Sequence, residues 1–119
     1  MRITAVAGEL LQVFSNLISN SLDAICERGV IKLRVSAHND HARVTVADNG
    51  KGIPPSIRQH IFEPFFTTKE PGKGTGLGLA TVYGTVKRSN GDIWVHSEPD
   101  RGTVFKLYFP KFTAEEAPN

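Results

Sequence analysis

From Thr67 to Leu79 the chain reads Thr-Thr-Lys-Glu-Pro-Gly-Lys-Gly-Thr-Gly-Leu-Gly-Leu, a glycine-rich turn with threonines and lysines that runs into an apolar, helix-forming stretch. Such a turn can hold a phosphate. Backbone N–H groups at a helix start are unpaired and carry partial positive charge, and glycines let an anion approach them without Cβ clashes. A flexible surface loop ahead of a helix is the bland alternative. Two well-known phosphate loops fail on spacing. A P-loop needs Gly-Lys-Ser/Thr, but Lys73 is followed by Gly74 and Lys51 by Gly52. The dinucleotide fingerprint needs Gly-x-Gly-x-x-Gly directly after a strand, whereas Gly74, Gly76 and Gly78 recur every second residue behind Thr, Lys, Glu and Pro.

Two further sets of polar residues could do chemistry. Asn16, Asn20 and Asp23 stand at i, i+4 and i+7, which puts them on one side of a helix beside its apolar stripe. Their oxygens suit an Mg²⁺ that keeps most of its waters and is otherwise held by phosphates; the alternative is a plain solvent edge. Asp48 keeps the phase of Val44 and Val46 and therefore points to the core side of its strand. A carboxylate there needs a partner. An exocyclic amine of a purine would satisfy it, and so would the backbone of its own Asp-Asn-Gly turn.

The elements that must position these groups follow from periodicity. Leu10, Leu11, Phe14, Leu17, Ile18, Leu22 and Ile25 repeat at helical spacing, ending near Gly29. Ile31, Leu33 and Val35 alternate with polar residues, as do Val44 and Val46, and His38-Asn39-Asp40-His41 joins the two strands as a hairpin. Pro54 and Pro55 open a short helix to about His60, and a longer one runs from Gly76 to about Arg88, left through Asn90-Gly91. Ile93 to Val95 and then Phe105, Leu107 and Phe109, ended by Pro110, form two more strands. This order predicts an α+β domain with helices on one face of a mostly antiparallel sheet.

Composition is that of one ordinary soluble domain: 119 residues, 39% apolar, 22% charged, with no apolar run near the roughly 20 residues of a membrane span. A single domain is expected over residues 1–112, followed by a loose polar tail over 113–119. One cysteine, Cys26, excludes an internal disulfide and points to a reducing, cytoplasmic compartment. A net charge of +2 with scattered basic residues gives no case for nucleic acid as a partner.

Taken together, the motifs resemble the GHKL (Bergerat-fold) ATPase/kinase superfamily. Asn16 to Ala24 looks like its N box, Asp48 to Pro54 like its first glycine box, and Gly72 to Ala80 like its second, with Arg101-Gly102-Thr103-Val104-Phe105 as the closing Gly-Thr motif. Ile61 to Lys69 resembles the F box, which points within the superfamily to sensor histidine kinases. The likeness runs from about Glu9 to Pro110.

The resemblance implies a two-layer α/β sandwich that binds ATP and Mg²⁺. Asn20 would hold the metal, supported by Asn16. Asp48 would accept from the adenine amino group, with Gly50, Gly52 and Ile53 beside the base and Thr103 near the same edge. Thr67, Thr68, Lys69, Gly72, Lys73, Gly74 and Thr75 would belong to a lid over the nucleotide, with Gly76, Leu77, Gly78 and Leu79 opening a helix against the triphosphate. Phe62, Phe65 and Phe66 would anchor that lid or serve as core aromatics.

Hydrolases of the superfamily carry a Glu four residues before the metal-binding Asn, where this chain has Asn16, an amide that cannot act as a general base. The resemblance thus implies a kinase that hands the γ-phosphate to a protein histidine. None of His38, His41, His60 and His96 has the setting of the family's acceptor helix. The acceptor would lie on a separate phosphoacceptor domain, which in turn serves a response regulator. A stand-alone regulator of the anti-sigma-factor kinase type and an ATPase fragment remain open as alternatives.

Overall fold

The computed structural model describes residues 7–25, 28–66 and 78–110. The expectations for Cys26, for the turn over 67–77 and for the tail over 113–119 lie outside those residues. The elements run α1 (Ala7–Ala24), β1 (Ile31–Ala37), β2 (His41–Asp48), α2 (Pro55–Arg58), α3 (Gly78–Arg88), β3 (Asp92–Glu98) and β4 (Gly102–Pro110). The four strands form one antiparallel sheet in the order β1-β2-β4-β3.

Alternation in β2 and β4 decides which face is covered. Val44, Val46, Phe105, Leu107 and Phe109 are buried, while the residues between them are half-exposed on the other face. Helices α1 and α3 cover the buried face with Val13 and Leu17 from one and Val82 and Val86 from the other. Each fully buried Leu, Val or Phe stabilises the fold by about 1.5–3 kcal/mol. α3 closes at Asn90, whose φ of 59° turns the chain so that Gly91 N–H donates to Val86 O at 2.9 Å.

Three expectations need correction. On α1, Leu11 and Leu22 are 70% and 58% exposed, and the inward row is Val13, Leu17 and Ser21. The helix is apolar around more of its circumference than the sheet covers. Its other flank faces α3, where Arg88 Nη2 donates to Glu9 Oε1 at 3.2 Å and Asn16 reaches Gly78. On β1, Leu33 and Val35 point toward the helix side but remain 54% and 68% exposed, because β1 is the edge strand and little of α1 lies over it. The helix opened by Pro55 stops at Arg58, short of His60, and the chain goes on in turns, with His60 N–H donating to Ile57 O at 2.9 Å.

Candidate functional site

The end of β2 meets β4 and β3 in one register row, Asp48 opposite Thr103 and Thr103 opposite Ser97, so these three polar side chains share the helix face of the sheet. All are buried. Asp48 has partners on both oxygens. Ser21 Oγ, from the last turn of α1, donates to Oδ2 at 3.0 Å, and Gly50 N–H donates to Oδ1 at 2.9 Å. The second bond is the local Asp-Asn-Gly turn, so turn geometry and a core-facing carboxylate coexist. A carboxylate can accept about four hydrogen bonds. The lone pairs left over can accept from a bound amine.

The loop from Asn49 to Ile53 is clamped from three sides. Asn49 Oδ1 accepts from Val30 N–H at 2.7 Å, Lys51 N–H donates to Ala24 O at 3.0 Å, and Lys51 O accepts from Asp100 N–H at 2.7 Å. Gly52 adopts φ +72°, and a Cβ there would lie 2.1 Å from Glu98 O. Its glycine is therefore required by the protein's own backbone, whatever packs against it from outside. Ile53 N–H donates to Ser97 Oγ at 2.7 Å, and Arg58 Nη2 donates to Ser97 O at 3.1 Å, which seats α2 on the end of β3.

The second half of the site lies on the α1 flank that faces α3. Asn16 Oδ1 accepts from Gln12 Nε2 at 3.1 Å and its Nδ2 donates to Gly78 O at 3.1 Å, joining α1 to the first residue of α3. Asn20 is half-buried one turn further along, between Asn16 and the Ser21–Asp48 contact. Asp23 is exposed on the next turn. Leu79 and Ile53 are half-buried and pack on the core.

The structure thus gathers Asp48, Gly50, Gly52, Ile53 and Thr103 at the sheet end and ties Asn16 to Gly78 nearby. Thr67, Thr68, Lys69, Gly72, Lys73, Gly74, Thr75, Gly76 and Leu77 lie outside the described residues. Phe62 packs between Tyr83 and Phe105, at centroid distances of 5.4 and 6.5 Å. Phe66 is also half-buried on the core, but Phe65 is 73% exposed with φ +68°, so it is no core aromatic. Ser21 and Ser97 escaped sequence reading. Only the pairing of Ser21 with the inward row of Val13 and Leu17 could have signalled that its hydroxyl is buried and must bond to something.

A family model described as histidine kinase-, DNA gyrase B-, and HSP90-like ATPase matches residues 5–113. The chain belongs to this ATPase family. Within it the similarity is to sensor kinases. The chain is 41% identical to the sensor kinase CckA of Brucella abortus over 96% of its own length and 14% of that protein's. It is 43% identical to sporulation kinase A of Bacillus subtilis over 87% of its length and 17% of the relative's. It therefore spans a small part of each. Among solved structures, the nucleotide-free catalytic domain of histidine kinase ThkA superposes with a TM-score of 0.81 at 36% identity, covering 92% of this chain and 72% of that one. Full-length ShkA in complex with AMPPNP gives a TM-score of 0.76 at 35% identity, covering 87% and 21%. This ATPase-family chain has the fold of histidine kinase catalytic domains, an α+β layer pair with an open antiparallel sheet.

Proposed function

We propose that this chain is the ATP-binding catalytic domain of a two-component sensor histidine kinase, which binds Mg-ATP and donates the γ-phosphate to a histidine on a separate acceptor domain. The observation that carries the nucleotide reading is Asp48, a buried carboxylate held by Ser21 and Gly50 with acceptor capacity left for a purine amine. Likeness to ShkA, whose structure contains an ATP analogue, supports the same ligand.

The residues present fit a magnesium ion bound with its nucleotide. Among the described residues no group of three or more His, Cys, Asp or Glu side chains could cage a metal by itself. Mg²⁺ asks for little from protein, keeping waters and taking phosphate oxygens. Asn20 would hold it through its amide oxygen, with Asn16 fixing the start of α3 beside the phosphates. When bound, the ion neutralises phosphate charge. The chain's own residues would then position: Asp48 and Thr103 would hold the base and the clamped Asn49–Ile53 loop would shape its bed, with Lys69 and Lys73 as the phosphate contacts that the family resemblance implies.

Transfer to protein rather than to water rests on Asn16. Its amide already serves Gln12 and Gly78 and has no basicity with which to take a proton from water. Phosphoryl transfer otherwise needs positioning and charge neutralisation, which leaves the acceptor histidine as the missing part. A response regulator downstream of that histidine and a cytoplasmic setting, where ATP is available, complete the reading. Among the described residues no helix is long and apolar enough to cross a membrane.

The test is to incubate the chain with Mg-ATP and a separately produced acceptor domain of the parent kinase. Acid-labile phosphohistidine on the acceptor, dependent on Asn20, is the expected result. Rapid phosphate release from the chain alone, with no labelled acceptor, would instead make it a hydrolase.

A further inference from the structure

The sheet has a second face, opposite the helices, whose side chains have no part in the site described above. Alternation with the buried residues of β2 and β4 puts Arg43, Lys106 and Tyr108 there, and pairing adds Lys32 and Arg34 from β1. Trp94 of β3 lies directly across from Lys106. These four cations are scattered in sequence, and the sheet gathers them. Among the described residues none of the four has an ion-pair partner. The two carboxylates of this face, Asp92 and Glu98, stand at the ends of β3 and are taken by Lys87 at 2.8 Å and Arg101 at 3.7 Å.

The chain has 14 Lys and Arg and 12 Asp and Glu, so setting aside these four cations and two carboxylates leaves ten of each sign. The whole net charge of +2 therefore sits on this face. Its other half is apolar. Trp94 is 59% exposed, and with Val104 and Tyr108 it lines a shallow hollow beside Lys106. Exposed Trp and Tyr next to Arg are the residues enriched where proteins meet.

We propose that this face docks an acidic amphipathic helix of a protein partner, its carboxylates over Arg34, Arg43 and Lys106 and its apolar side chains on Trp94. Cations lie toward β1 and the indole on β3, so the occupant must present both kinds of side chain rather than charge alone. Four strands about 4.8 Å apart make a platform about 14 Å wide. A helix of about 12 residues crosses it at about 1.5 Å per residue. A long polyanion fits less well. Charges balance over the rest of the chain, so nucleic acid or an anionic membrane running past the face gains no further attraction, and one exposed indole is a poor platform for successive bases. Docking here does not depend on the nucleotide reading.

Trp94 is the chain's single tryptophan, so its fluorescence reports on this face directly. The probe is a peptide of about 12 residues with Glu on one side of its helix, Leu on the other and no aromatic residue, titrated into the full chain. A saturable shift of Trp94 emission to shorter wavelength is expected. Lys106→Glu, shown by circular dichroism to be folded, should weaken the peptide at least about tenfold. Salt at about 0.5 M should weaken it in the wild type as well. If the charge reversal does not fold, Lys106→Gln carries the same comparison with a smaller loss. The proposal is overturned by the absence of a saturable shift, by wild-type affinity in the folded variant, or by equal binding of a counterpart peptide with Lys for every Glu. An oligothymidine strand or phosphatidylserine vesicles that shift Trp94 at lower concentration than the peptide also overturn it, in favour of a polyanion.

Discussion

Asp48 sits at the last position of β2, opposite Thr103 of β4, and its carboxylate joins two parts of the chain: the end of α1 through Ser21 and its own turn through Gly50. Its inward direction was legible in the sequence, because a period of two leaves no freedom once Val44 and Val46 are assigned to the core. Its partner was not. Serine is mostly an exposed residue, and nothing local to Ser21 says that an Asp 27 residues away will meet it. Asp48→Ala should reduce ATP affinity by about 100-fold or more in calorimetric titration, since it removes the base contact and leaves Ser21 and Gly50 N–H without their acceptor. At Asn16 the expected change is a gain. Asn16→Glu supplies a carboxylate beside the start of α3, and a coupled phosphate-release assay should show hydrolysis above wild type; unchanged release would mean that the missing base is not what keeps ATP intact.

Among the elements, the sheet and its helices were largely readable, and the errors have one cause. Periodicity shows which residues share a face, but how much of that face a neighbour covers is a tertiary matter. Leu11 and Leu22 on α1 and Leu33 and Val35 on β1 are in phase with buried neighbours and still exposed, since α1 leans toward α3 and little of it covers the edge strand. Leu33→Lys should therefore change stability by less than about 0.5 kcal/mol in urea unfolding, whereas Leu17→Ala, at a fully buried position, should cost about 2–5 kcal/mol. The loop after β2 behaves as a rigid part of the site. Gly52→Ala places a Cβ into Glu98 O at a positive φ, so it should destabilise by at least about 1 kcal/mol and weaken nucleotide binding together. A Gly52→Ala chain as stable as wild type would show that the clamp between this loop and the β3–β4 turn is looser than its distances indicate.

For the whole molecule, the division of labour follows from what one compact layer pair can hold. The covered face of the sheet supplies the core; in the proposed reading its site end would hold the base, the α1–α3 flank would lead to the phosphates, and the histidine to be phosphorylated would come from a separate domain. The chain spans 14–23% of the length of the sensor kinases CckA, sporulation kinase A and ZraS of Escherichia coli. The central claim is that Asp48 and Asn20 bind the two ends of one Mg-ATP. Calorimetric titration of a non-hydrolysable ATP analogue with and without Mg²⁺ into wild type, Asp48→Ala and Asn20→Ala tests it most directly. One site per chain is predicted, with Asp48→Ala weak under both conditions and Asn20→Ala losing the gain that Mg²⁺ gives wild type. Wild-type affinity and Mg²⁺ dependence in both folded variants would contradict it.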